Sequence, residues 1–203
     1  ASTPIVAGDA VIALTIDGRL LCVDLDDGDE RWTVDVRRTL DAPTPFWGFT
    51  TTPVVADDLV IVQAGAGSRS LAAYELSNGS RRWARGGGGV EYRSPVLATL
   101  AGREQIIAAT DQATTGVDPA TGETLWTVQG GTKNSTTPVP IQPDCVFVQT
   151  HGGGMIIKVP SAGARPEIIM RTGEFRSSYA TPVYVDGFIY GFSGSVLTCV
   201  DAA

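Results

Sequence analysis

The sequence predicts an all-β fold, a β-propeller of four-stranded antiparallel blades, and three observations carry that prediction. A Ser/Thr-Pro dipeptide recurs at nearly constant spacing. Each recurrence opens the same succession of short apolar runs. Three of the repeats share one acidic-x-x-x-Gly-x-x-x-Trp turn.

The dipeptides are Thr3-Pro4, Thr52-Pro53, Ser94-Pro95, Thr137-Pro138 and Thr181-Pro182, with prolines 49, 42, 43 and 44 residues apart. A brief apolar run follows each proline, as in Ile5-Val6, Val54-Val55 and Val96-Leu97. An Asp- or Gly-bearing turn leads to a β-rich run, such as Leu59 to Gln63 or Val146 to Thr150. A third run follows, and in the first three units a fourth carries Trp32, Trp83 and Trp126. Four short strands at a period of this length are the signature of propeller blades. No segment keeps a helical apolar period over ten residues, which excludes a helical solenoid. The blades read as approximately 1–36, 50–85, 92–129, 135–172 and 178–203.

The joint between third and fourth strands is the most informative motif. It reads Asp24-x-x-x-Gly28-x-x-x-Trp32, then Glu75, Gly79 and Trp83, then Asp118, Gly122 and Trp126. Glycine takes the positive φ of a tight turn, and an Asp side chain accepts backbone N–H bonds across it. Tryptophan offers an apolar plate to bury between neighbouring blades, with one N–H to satisfy. These nine positions are expected to be structural, not catalytic.

At this motif the chain resembles the PQQ-like (pyrroloquinoline-quinone-like) propeller repeat family, whose signature is Ala-x-Asp-x-x-x-Gly-x-x-x-Trp after a strand begun by Ser-Pro or Thr-Pro. Val117 to Trp126, VDPATGETLW, is close to it. The resemblance spans the chain and weakens after the third unit. In the fourth, Lys158 replaces the acidic residue, the gap to Gly163 is longer and no Trp follows. The stretches Phe46 to Val62 and Ser94 to Thr110 resemble bacterial extracytoplasmic propellers of the PQQ-binding-like and outer-membrane-assembly-lipoprotein type. The resemblance implies a periplasmic or otherwise extracytoplasmic location and seven or eight blades. Because a ring closes when one terminus completes the other's blade, residues 1–203 are read as an excerpt of a longer propeller. The alternative is a complete five-bladed ring.

Repeat geometry places a candidate binding face. Segments just before each Ser/Thr-Pro strand should ring one mouth of the central channel. They contain Phe46, Trp47 and Phe49; Glu91, Tyr92 and Arg93; Lys133 and Asn134; and Phe175, Arg176 and Tyr179. Aromatics and arginines on loops are what interface anchors are made of. Trp47, Phe49, Tyr92, Arg93, Asn134 and Arg176 are the candidates, with the competing expectation that Trp47 and Phe49 merely pack between blades or plug the channel.

The leading functional expectation is a non-catalytic scaffold that binds a protein or extended ligand through these loops. One alternative is a fragment of a PQQ- and calcium-dependent quinoprotein dehydrogenase, whose chemistry needs an oxygen-ligated divalent ion and a carboxylate base. No adjacent cysteines or matching Glu/Asn/Asp set appear, so no cofactor is expected. A sensory ectodomain of a larger signalling protein is the other alternative.

Composition bounds the remainder. A formal charge of −7, with no Lys/Arg run, argues against a non-specific nucleic-acid binder. No apolar stretch is long enough to cross a bilayer. Cys22, Cys145 and Cys199 form no metal-binding spacing, and the expectation is buried, unpaired thiols. His151, the only histidine, is expected in a solvated turn. Gly86 to Gly89 lack the Lys-Ser/Thr ending of a phosphate loop and read as a flexible connection.

Overall fold

The proline-headed repeats each fold into one antiparallel meander. The computed structural model describes residues 2–89, 92–130, 135–161, 164–176 and 179–202. Strands β1 (Ile5–Ala7), β2 (Ala10–Leu14), β3 (Arg19–Asp24) and β4 (Glu30–Asp35) make the first sheet in that order. The second holds β5 (Val54–Ala56), β6 (Leu59–Gln63), β7 (Leu71–Glu75) and β8 (Arg81–Arg85). The third holds β9 (Val96–Leu100), β10 (Arg103–Ala109), β11 (Ala113–Val117) and β12 (Thr124–Gln129). The fourth holds β13 (Val139–Ile141), β14 (Cys145–Thr150), β15 (Gly153–Lys158) and β16 (Glu167–Thr172). In the fifth, β17 (Val183–Val185), β18 (Phe188–Ser193) and β19 (Val196–Asp201) form a three-stranded sheet. A short helix α1 (Val36–Leu40), capped by the Asp35 carboxylate, opens the connection from the first blade to the second.

The burial patterns follow from blade stacking. All five residues of β6, Leu-Val-Ile-Val-Gln, are buried, because both faces of that strand lie against a neighbouring blade. In β18 burial alternates, and Phe188, Tyr190 and Phe192 stay exposed on one face. The core is accordingly layered. One buried cluster joins the first and second blades, a second joins the second and third, another the third and fourth, and a smaller one the fourth and fifth.

Two sequence signals become stitches between blades. Three of the five Ser/Thr hydroxyls ahead of these prolines accept the preceding blade's backbone N–H: Thr3 N–H donates to Thr52 Oγ1 at 3.2 Å, Thr52 N–H to Ser94 Oγ at 2.9 Å, and Thr137 N–H to Thr181 Oγ1 at 3.1 Å. The second stitch is the tryptophan. Trp32 Nε1 donates to the Leu76 carbonyl at 2.8 Å, and Trp83 Nε1 to the Pro119 carbonyl at 3.0 Å. Their rings cover Gly79 and Gly122 of the following blade, where a Cβ would come within 2.7 Å of the indole. The motif glycine therefore answers two demands, a positive φ of 71–72° and an uncovered α-carbon for the neighbour's ring.

The same turn recurs in hydrogen bonds. Gly28, Gly79 and Gly122 donate their N–H to the carbonyls of Asp24, Glu75 and Asp118 at 3.1, 2.8 and 2.9 Å. Each acidic residue also pairs with an arginine: Asp24 with Arg31, Glu75 with Arg82 and Asp118 with Arg103. Asp118 also caps its turn, accepting from the N–H groups of Ala120 and Thr121, and Asp24 accepts from the Asp26 N–H.

The third tryptophan departs from the pattern. In the fourth blade the turn that would receive it is rewritten as Lys158-Val159-Pro160-Ser161. Trp126 Nε1 turns to Gln105 Oε1 of its own blade at 2.6 Å, over Gly116, where a Cβ would lie 2.1 Å from that nitrogen. A cavity of about 450 Å³ bordered by Trp126, Leu125, Pro160 and Ala164 lies at this junction. The thiols also depart from expectation: Cys22 is buried and Cys145 half-buried, but Cys199 is exposed, because nothing described packs on that face of β19. His151 is exposed in the turn between β14 and β15.

Candidate functional site

The connection from the first blade to the second builds the most distinctive surface. After α1, Asp41 takes a left-handed φ of 52° and caps the helix, and the chain runs through Pro43 and Pro45. Gly48, at φ +76°, donates to the Pro45 carbonyl at 2.8 Å and lies against Ile16, so the loop doubles back onto the β2–β3 turn. Phe49 N–H then donates to the Ile16 carbonyl at 3.0 Å.

This reversal sorts the aromatic residues. Phe49, a candidate for the binding face with packing as the competing expectation, is buried: its ring covers Gly18, where a Cβ would come within 2.7 Å. Phe46 and Trp47 point outward, 87% and 67% exposed, as an edge-to-face pair with centroids 4.7 Å apart. Tyr92 of the next blade reaches across, its hydroxyl oxygen accepting the Trp47 N–H at 3.0 Å. Tyr92 itself is half-buried.

Arg93 also corrects the expectation. It is 2% exposed, and its Nη1 donates to the Thr110 carbonyl at 3.1 Å. A guanidinium spent on an interior carbonyl is a brace between strands and offers no surface anchor. Arg176 is exposed, with Nε bonded to the Gly173 carbonyl at 2.7 Å. Asn134, Glu91 and Lys133 lie outside the described residues.

Beneath the aromatic pair lies a cavity of about 380 Å³. Pro43, Pro45, Phe46, Phe49 and Tyr92 form its walls, with Thr51 and Gln63 among the polar residues bordering it. Gln63 ends the buried strand β6. Its Nε2 donates to the Ala109 carbonyl of the next blade at 2.7 Å, which fixes the amide orientation, and its Oε1 is buried without a donor. Thr51 donates its hydroxyl proton to the Gln63 main-chain carbonyl at 2.8 Å. The sequence reading missed Gln63. The available signal was a polar residue closing an otherwise apolar strand, repeated at the same register by Gln149 in β14, which donates to the Phe175 carbonyl at 2.7 Å.

No carboxylate lines this cavity among the described residues. Nor do three His, Cys, Asp or Glu side chains converge anywhere among them. The perturbed carboxyls are at the outer turns. Hydrogen bonding to the Arg31 guanidinium, with its charge, holds Asp9 and Asp24 below the usual carboxylate range. For Asp118, burial pushes upward, but bonds from Arg103 and Thr121 outweigh it and the net shift is downward. Burial, followed by the Asp144 carboxylate, pushes the Cys145 thiol up to about 11.

Over residues 1–203 the sequence matches the family described as outer membrane protein assembly factor BamB. No curated protein matches it. Among solved structures, BamB from Moraxella catarrhalis superposes with a TM-score of 0.72 at 19% identity, over 98% of this chain and 56% of that one. Quinohemoprotein alcohol dehydrogenase ADHIIG from Pseudomonas putida HK5 gives 0.64 at 16% identity, over 92% and 42%. The computationally designed Ika8 protein gives 0.72 at 11% identity, over 98% and 57%. These likenesses show the fold, and the chain spans about half the length of the structures it matches.

Proposed function

The chain belongs to the outer membrane protein assembly factor BamB family, and from that premise we propose that it is a non-catalytic, protein-binding propeller working outside the cytoplasm. The binding face is the mouth formed by the 41–52 connection and Tyr92, with Arg176 as a further contact. The observation that carries this reading is the Phe46–Trp47 pair. Two large aromatics stand open to water, yet their loop is held by hydrogen bonds at Gly48, Phe49 and Trp47. A pre-ordered loop contributes its rings to an interface with little further loss of conformational entropy. Exposed aromatics at a rigid mouth are of the residue type that dominates binding energy at protein interfaces. The family's name supports an outer-membrane setting, and no described helix is long and apolar enough to cross a membrane.

The test is site-directed photo-crosslinking in the cells that make the protein. A benzophenone amino acid at position 47 is expected to give a discrete protein adduct in the cell envelope. The same probe at Asp27, in the outer turn of the first blade, is expected to give none. Equal labelling at both positions, or none at 47, overturns the reading.

A further inference from the structure

The first two junctions show what a blade offers to the one before it. In the second blade that side is Val60, Val62, Ala72 and Tyr74, all buried against the first. At its outer turn Gly79 lies under the Trp32 ring, the Leu76 carbonyl receives the indole N–H, and a Gly79 Cβ would also meet Val34 Cγ2 at 3.1 Å. The third blade repeats this with Gly122 under Trp83, the Pro119 carbonyl, and Arg85 Cδ at 3.1 Å. Each seat thus takes a strand reading Trp-x-y, with the indole on the glycine and the stem of residue y beside it.

The first blade carries the same seat, uncovered. Val11, Ala13, Leu21 and Val23 hold the register positions of Val60, Val62, Ala72 and Tyr74, but are only half-buried and join no buried cluster among the described residues. Gly28 keeps the geometry of the seat, φ +79° against +71° and +72°, yet nothing lies within 4 Å of the Cβ it would carry. It is exposed where Gly79 and Gly122 are buried. The Leu25 carbonyl, counterpart of those of Leu76 and Pro119, receives no hydrogen bond among the described residues. Around it Asp26, Asp27, Asp29 and Glu30 are exposed and make no ion pair among those residues, since Arg31 is committed to Asp9 and Asp24.

We propose that this side of the first blade seats a further blade of the same propeller, whose fourth strand reads Trp-x-Arg or Trp-x-Lys. Gly28 and the Leu25 carbonyl select the indole, as their counterparts do at the two covered seats. Charge selects the third residue. At Gly122 it is Arg85, whose stem lies on the glycine. Among four unpaired carboxylates a cationic side chain keeps that packing and places its head beside opposite charge. A second copy of this chain does not fit. Its Trp32 and Trp83 are engaged in their own junctions, Trp126 bonds inward to Gln105, and Trp47 stands on a loop ahead of Gly48 and the buried Phe49.

The seat is tested by titrating the 203-residue chain with a peptide of residues 79–87, which carries the Trp83-Ala84-Arg85 strand, and following backbone amide shifts. Expected are saturable shifts at Asp26, Asp27 and Gly28, with binding about tenfold or more weaker when the peptide carries Trp83→Ala. A peptide with Arg85→Glu should also bind more weakly at low salt. Gly28→Asn in the chain retains the positive φ, which asparagine tolerates, and sets a side chain over the seat. It is expected to abolish the shifts with the thermal midpoint in place. No saturable shifts at Gly28, or equal binding of the Trp83→Ala peptide, overturns the seat. Equal binding of the Arg85→Glu peptide overturns the basic third residue. The source is tested with a benzophenone amino acid at position 25 in the protein as its own cells make it, read by mass spectrometry of digests. Expected is a crosslink within one polypeptide, to a Trp-x-Arg or Trp-x-Lys segment outside residues 1–203. A crosslink to a second copy or to another protein, or none, overturns the further blade. Position 27 faces water in either case, since its counterparts Asn78 and Thr121 stay exposed at the covered seats.

Discussion

Replacing Trp83 by alanine tests whether the blades are held by their tryptophans. The indole is only 8% exposed, lies over Gly122 of the third blade and donates to the Pro119 carbonyl there at 3.0 Å. A tryptophan buries roughly 200 Å², which at about 25 cal/mol per Å² corresponds to about 5 kcal/mol of apolar transfer. Partial collapse of the site recovers some of this, and the orphaned Pro119 carbonyl takes some back. The expected loss is about 4 kcal/mol, within the range found for buried aromatics cut to alanine. For a domain of this size, each kcal/mol moves the midpoint by about 3 °C, so the loss corresponds to a fall of about 12 °C. Scanning calorimetry with parallel far-ultraviolet dichroism reads it directly. Trp83→Phe separates the two contributions: it keeps most of the plate, loses the N–H bond, and should fall by about a third as much. If Trp83→Ala melts within a degree or two of the parent, the indole does not hold the second and third blades together.

Other expectations concern particular groups. Gly122→Ala should cost as much as a core truncation, because the added methyl meets the Trp83 ring and the backbone sits at φ +72°; a midpoint within a degree of the parent refutes the close approach. In thiol labelling of the native protein at pH 8, Cys199 should react first. Cys145, with its thiol pushed up to about 11, should lag. Cys22 should react only on unfolding, and mass spectrometry of digests gives the order. Asp9 and Asp24 are held below 3.8 in the fold by Arg31. The stability they confer is therefore fully present above that value and lost as pH falls through their lowered folded pKa values. Arg31→Gln should flatten the acid limb of the stability profile below about pH 4, and an unchanged limb refutes the pairing.

Much of the fold was legible because a propeller writes each blade from the same few positional demands. Thr52, Ser94 and Thr181 were found as landmarks ahead of prolines, and the structure supplies their reason, a hydroxyl that receives the preceding blade's N–H. The Gly79 and Gly122 turns could be read from local chemistry, since positive φ leaves a mark on sequence. Contacts decided by a second segment could not. Whether Phe49 faces water depends on the loop folding back onto Gly18, 31 positions upstream. Arg93 reads as a surface anchor until the Thr110 carbonyl is seen beside it. Gln63 was passed over because a lone polar residue at a strand end has no meaning until the neighbouring blade claims one of its two polar atoms and leaves the other.

The turned indole of Trp126 has a mechanical consequence. In a linear array each unit touches only its neighbours, and total stability is a sum of unit and junction contributions. The first two junctions are stapled by an indole that crosses them, whereas at the third the ring bonds inward to Gln105. Such an array has a seam. Under rising denaturant or mechanical load, the first three blades and the two that follow should separate there before either block loses its internal order, and the chain would then behave as two cooperative units sharing one repeat.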